Sequence, residues 1–195
     1  MRRSLFSLAS VMCLVAGCSA TAPRLPQASG PIDIVVAATT DLHGYVRGWD
    51  YFANAPDTVR GLTRVATIID SLRKVSPTFP VVVDAGDAIQ GNPLAYAAAR
   101  IDSTMPHPVI AAMNAVEYDA AVIGNHEFNY GIPTLERAVR QARFPMLAAN
   151  IFTSAGTPRF RTWAVSTRRG IKIAMIGATT PGAMVWDRDN LAGRL

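Results

Sequence analysis

The chain has 195 residues, half of them hydrophobic and 17% charged, with a formal net charge of +5. That length allows one ordinary domain and excludes two large ones, and that balance supports a packed core and excludes wholesale disorder. Without Arg2 and Arg3, which stand in a leader, the charge is +3, and the absence of a long Lys/Arg run or basic–aromatic stripe excludes a nucleic-acid footprint.

The leader reads MRRSLFSLASVMCLVAGCSA. A positive start runs into an apolar stretch from Leu5 to Ala16, shorter than the roughly 20 residues of a membrane-spanning helix and suited to a signal peptide. It ends in Leu14-Val15-Ala16-Gly17-Cys18, which resembles a bacterial lipobox. The resemblance implies a lipoprotein signal peptide over 1–17 and lipid attachment at Cys18; the alternative is an ordinary secretory signal with a chance cysteine. Cys13 would leave with the signal, so Cys18 would be the lone remaining thiol and no internal disulfide could form. Ser19 after the cysteine, by resemblance to Gram-negative lipoproteins, points to the periplasmic side of the outer membrane. Residues 18–30 read as a short tether.

From Pro31 strands and helices alternate. IDIVVAA (32–38) is a short β-branched run and predicts a buried strand. A polar stretch follows, containing Trp49, Tyr51 and Phe52, which read as loop packing. LTRVATIIDSLRKV (62–75) puts Leu62, Val65, Ile69 and Leu72 on one helical face. PVVVDAGD (80–87) predicts a second buried strand, 93–100 and 107–117 two helices, and DAAVIG (119–124) a third strand. IPTLERAVRQA (132–142) is an amphipathic helix with Pro133 in its first turn. MLAANI (146–151) is a fourth strand, and 160–179 reads as a hairpin across Arg168-Arg169-Gly170. This order predicts an α/β sandwich whose first strands are parallel.

Metal-binding residue types recur just after the predicted strands. Asp41 and His43 follow the first, Asp87 the second, Asn125 and His126 the third. Ligands gather outside the carboxyl ends of strands in open α/β sheets, so these loops are expected to converge on one crevice. Asp and His suit borderline divalent metals, and one Asp can bridge two ions. Gly44, Gly86 and Gly124 are expected to let the backbone turn sharply beside the ligands. Each cluster also has a plainer reading: a turn for Asp41-x-His43, a helix cap for Asp87, a structural histidine for His126, a solvated or capping carboxylate for Glu127. Their recurrence at three strand ends favours metal.

The patterns D-x-H, G-D-x-x-x-G-N and G-N-H-E resemble the metallophosphoesterase (calcineurin-like) superfamily. YDAAVIGNHEFN (118–129) resembles the 5′-nucleotidase signature; GDAIQGNPL, GNHEFNYG and WDRDNLAG (186–193) resemble the branch acting on 2′,3′-cyclic nucleotides and 3′-nucleotides. The resemblance implies an αββα sandwich and two divalent metal ions (Zn, Mn, Fe or Co). Asp41 and His43 would hold one, Asp87 would bridge, and Asn125 would hold the second. His126 would stabilise the phosphoryl oxygens of a nucleotide substrate and assist the leaving group. Glu127 receives no catalytic role.

The chain departs from the pattern twice. In the 5′-nucleotidase branch an aspartate three residues after the histidine orients and charges the imidazole; here Asn129 stands there, as in the cyclic-nucleotide branch. An amide orients a ring but stabilises its protonated form far less well. The superfamily also completes its site with A-H-x-G and G-H-x-H loops, and the histidines here are His43, His107 and His126 alone. His107 matches no ligand motif and reads as structural or exposed. Residues 31–195 are therefore expected to be the N-terminal part of a metallophosphoesterase domain, incomplete at the C-terminus, lacking the nucleotide-binding domain and little active in isolation. The alternatives are a sugar-nucleotide or thiosulfohydrolase relative, or a non-catalytic surface lipoprotein scaffold. No oligomeric state is implied.

Overall fold

The computed structural model describes residues 30–195. The expected signal peptide, Cys18 and all but the last residue of the tether lie outside the described residues.

Four parallel strands form the main sheet: β1 (Val36–Thr39), β4 (Val81–Asp84), β5 (Ala120–Val122) and β6 (Met146–Leu147), in that spatial order. Between β1 and β4 lie a small antiparallel ribbon, β2 (Trp49–Asp50) with β3 (Ala55–Pro56), and helix α1 (Leu62–Val75). The β4–β5 crossover carries α2 (Pro93–Tyr96), a π-helical turn (Ala97–Ile101) and α3 (Pro108–Val116). A 3-10 turn (His126–Phe128) and α4 (Ile132–Gln141) join β5 to β6. An antiparallel hairpin follows, β7 (Trp163–Arg168) and β8 (Ile171–Ile176), then two short helices, α5 (Ala183–Trp186) and α6 (Arg188–Leu191).

The period-2 alternation of the strands divides two apolar layers. Val82 and Ala121 face the helices, where Leu62 and Ile69 of α1, Ile110 and Met113 of α3, and Leu135 and Ala138 of α4 are buried with them. Full burial of each such large aliphatic side chain stabilises the fold by about 1.5–3 kcal/mol. Val83, Ala120 and Leu147 face the opposite way and meet Ala164 and Met175 of the hairpin. The result is a helix–sheet–sheet stack. Arg168 fastens the hairpin to the amino end of β5, donating to both oxygens of Asp119 at 2.8 and 2.7 Å.

The helix expected over 62–75 and the hairpin turn at 168–170 occur as read. Other boundaries move. The first strand begins at Val36, not residue 32, and it is partly exposed, with Val36 at 57%. It is the sheet edge, beyond the strands whose outer face the hairpin covers. The 93–100 helix becomes a single α turn followed by the π turn. The fourth strand stops at Leu147 because Ala148 and Ala149 donate instead to the carbonyls of Arg161 and Gly177. No helix among the described residues is long and apolar enough to cross a membrane.

Candidate metal centre

Three loops leave the carboxyl ends of β1, β4 and β5 and are stitched together by main-chain hydrogen bonds. The N–H groups of Asp41, His43 and Gly44 donate to the carbonyls of Gly86, Asp87 and Ala88, each at 3.0 Å. The third loop joins through a side chain. Glu127, with no exposed surface, accepts from the backbone N–H of Gly124 (2.7 Å), Asp87 (2.8 Å), Ala88 (2.6 Å) and Ile89 (3.2 Å). The solvated or capping reading of Glu127 is thereby corrected: it is a buried clamp between the second and third loops. Burial pushes its pKa up, and the N–H donors pull it back.

The clamp brings His43, Asp87 and His126 to one point, with candidate ligand atoms all within 4.8 Å of one another. The two imidazoles meet edge to face, centroids 5.2 Å apart. Asp41 stands on the more exposed rim, its Oδ1 3.5 Å from His43 Nε2. Asp87 opens no helix of its own; its Oδ1 accepts from the His126 N–H, the first of the 3-10 turn, at 2.8 Å. Asn125 opens the 3-10 turn, half-buried, directly before His126. His107 lies away from this cluster, fully buried at the start of α3.

The backbone is strained where the candidate ligands stand. Asp41, His43 and Asp87 have φ of 54°, 44° and 61°, a left-handed conformation uncommon for residues with a Cβ and concentrated at functional sites. Gly124 has a different reason from the expected sharp turn. It lacks positive φ, but a Cβ there would lie 2.3 Å from Asp87 Oδ1 and 2.8 Å from Glu127 Oε2. The glycine lets the third loop close on the second.

Each histidine has one nitrogen assigned by its partner. His43 Nδ1 lies 2.9 Å from the carbonyl of Gln90, which can only accept, so Nδ1 carries the hydrogen and Nε2 keeps a lone pair. His126 Nδ1 lies 2.7 Å from Asn129 Oδ1. Behind the site, Asp84 is 2% exposed and its pKa is pushed up to about 7 by burial, with Glu127 and Asp41 adding to the effect against hydrogen bonds from Thr39 and Gly86. Carboxylates gathered at this cost, beside two imidazoles with lone pairs available, make a donor set that a divalent cation fits.

The calcineurin-like phosphoesterase profile matches residues 34–175. The chain belongs to the calcineurin-like phosphoesterases. Among members of that family, it is 37% identical over 190 residues to a 2′,3′-cyclic-nucleotide 2′-phosphodiesterase/3′-nucleotidase of Haemophilus influenzae, covering 90% of this chain and 29% of that protein. It is 35% identical over 183 residues to the trifunctional nucleotide phosphoesterase protein YfkN of Bacillus subtilis, covering 86% of this chain and 12% of that protein. The crystal structure of the calcineurin-like phosphoesterase YfkN superposes with a TM-score of 0.77 at 36% identity, over 83% of this chain and 52% of that one. The chain thus spans less than a third of the length of these two curated relatives.

Two residues of this phosphoesterase site escaped sequence reasoning. Glu127 was visible only as part of a motif, because its partners are backbone N–H groups of other loops. Asp187, in WDRDNLAG, accepts from Asn129 Nδ2 at 2.9 Å to each oxygen, across 58 residues of chain. A cleft of about 660 Å³, lined by Arg73, Phe79, Glu117 and Arg168 among others, opens at the amino ends of β4 and β5, at the far edge of the sheet from this chemistry.

Proposed function

We propose that this chain is part of a metal-dependent phosphoester hydrolase acting on nucleotides, of the 2′,3′-cyclic-nucleotide phosphodiesterase or 3′- or 5′-nucleotidase kind. The observation that carries the reading is the convergence of His43, Asp87 and His126 within 4.8 Å at the carboxyl ends of parallel strands. The names of the relatives support the substrate class.

Two divalent ions would be held by Asp41, His43, Asp87 and Asn125. When bound, such ions supply Lewis acidity toward phosphoryl oxygens and a water acidic enough to attack phosphorus. The chain's own residues do the rest. The Gln90 carbonyl fixes His43 so that Nε2, 3.5 Å from Asp41 Oδ1, keeps its lone pair for a metal ion. The His126 N–H fixes the Asp87 carboxylate in the crevice. In its doubly protonated form, with Nδ1–H held by Asn129 Oδ1, His126 would hold a phosphoryl oxygen through Nε2–H and pass that proton toward the leaving oxygen, which returns the ring to the neutral Nδ1–H form.

The reading extends to the leader. Signal removal after residue 17, acylation of Cys18 and a tether to residue 30 would anchor the enzyme by lipid on the periplasmic side of the outer membrane.

The experiment is an Asp87→Asn comparison. Asparagine keeps the Oδ1 acceptor for His126 N–H and so keeps the loop, but it removes the charge. Zinc or manganese binding by calorimetry is expected to weaken more than about 100-fold, since even partners behind the ligands contribute 10- to 100-fold. Turnover of a 2′,3′-cyclic nucleotide, measured on the full-length protein, falls with it. Unchanged metal content and an unchanged rate would overturn the assignment.

A further inference from the structure

Asp187 is 7% exposed at the junction of α5 and α6, and among the described residues no cationic side chain lies within salt-bridge distance of it. A buried carboxylate without a cation needs an explanation in its hydrogen bonds. They come from two amides. Asn129 Nδ2 donates to both oxygens at 2.9 Å, and Asn190 Nδ2 braces the pair at 3.4 Å from Asp187 Oδ1 and 3.4 Å from the Asn129 carbonyl.

This arrangement has a direction. An ionised carboxylate only accepts, so it forces the amine end of Asn129 toward itself. The Asn129 Oδ1 is then compelled to face His126 Nδ1, 2.7 Å away. That oxygen also only accepts, so the neutral His126 ring must carry its hydrogen on Nδ1 and its lone pair on Nε2. We infer that Asp187 is a positioning residue that, through Asn129, dictates which nitrogen of His126 holds the proton. The charge that an aspartate at position 129 would place beside the ring sits one side chain further back, where it orients an amide instead.

The catalytic meaning of this relay rests on the phosphoesterase reading above; the proton position is a property of the chain alone. Free histidine in water prefers the opposite tautomer, with hydrogen on Nε2, so the protein must impose this one.

The test is long-range 1H–15N correlation spectroscopy of the ¹⁵N-labelled chain without metal, at a pH of about 9, where imidazoles are neutral. In the wild type, His126 is expected to show a protonated Nδ1 and a bare Nε2. In Asp187→Asn both amides can reverse together, the introduced amide donating to Asn129 and Asn129 to the ring, so His126 becomes a mixture of tautomers. The double exchange Asn129→Asp with Asp187→Asn restores the direction and the single Nδ1–H form. His43, held by Gln90, stays unchanged throughout and reports an intact fold. A wild-type His126 protonated on Nε2, or an Asp187→Asn chain that keeps the pure Nδ1–H form, would overturn the relay. In the hydrolytically active protein, Asp187→Asn is expected to lower kcat by about 10- to 100-fold with KM near wild type. Absence of turnover in the longer enzyme of which this chain is proposed to be part counts against the phosphoesterase reading and leaves the tautomer result standing.

Discussion

The Glu127 carboxylate lies 2.8 Å from the backbone N–H of Asp87 and 2.7 Å from that of Gly124, so one side chain ties the loop after β4 to the loop after β5. Both oxygens are filled by main-chain donors. Glu127→Gln presents an amine to N–H groups already pointing at it, and Glu127→Ala leaves them unpartnered. Either change is expected to destabilise the fold by about 3–5 kcal/mol, read by urea denaturation, and to abolish zinc binding. A Glu127→Gln chain with the wild-type denaturation midpoint would show that the clamp contributes nothing.

Gly124→Ala tests the same closure by steric means. The new Cβ meets Asp87 Oδ1 at 2.3 Å and Asp87 N at 2.6 Å, and neither can retreat without breaking the contacts that hold it. A loss of about 3 kcal/mol is expected, with metal affinity falling in parallel. Thermal unfolding and calorimetry on the same preparation check both.

Asp84 makes the metal-free chain sensitive to pH. Its folded pKa, about 7, exceeds the unfolded value of 3.8, so between these values the native state holds a proton that the unfolded state has released. Stability from this group is complete below the unfolded value and is lost as pH rises toward 7. Above 7 both states are ionised and the loss levels off. Asp84→Asn is the permanent analogue of the protonated form, able to donate to Thr39 while Thr39 donates to Tyr118. It is expected to flatten this slope in denaturation curves taken from pH 4 to pH 8. An unchanged slope would assign the pH dependence elsewhere.

His107 works in the opposite direction. It is 1% exposed, neither ring nitrogen meets a well-formed hydrogen-bond partner among the described residues, and burial, reinforced by Arg137, holds its pKa down at about 4 against a weaker opposing contact with the Ile89 main chain. The unfolded ring takes up a proton below 6.5 while the folded ring does not, so stability is lost as pH falls from 6.5 toward 4. His107→Leu removes two buried ring nitrogens and leaves the main-chain bond to Gln141 in place. It is expected to stabilise the chain by about 1–2 kcal/mol at neutral pH, and by more at pH 5, in chemical denaturation.

Legibility in the sequence follows the range of the interaction. Helix α1 was readable because Leu62, Val65, Ile69 and Leu72 repeat at helical spacing, a property of neighbours in the chain. The crevice was readable because Asp41, Asp87 and His126 each interrupt an apolar run just past its end, and parallel topology then sends those ends one way. Glu127 was not readable as a clamp, because backbone donors leave no trace in residue identity. Asp187 was not readable either: nothing near it names Asn129 as its partner, although WDRDNLAG marked the segment. The fourth strand was overextended because Ala148 and Ala149 remain apolar while their N–H groups turn to other partners.

The fastening of the three loops uses peptide groups and one buried glutamate, and almost none of the side chains that face the crevice. Fixture and tool are therefore separable. Residues at the working face can be exchanged over evolutionary time, or by an engineer choosing another ion or leaving group, while the mount beneath them stays in register.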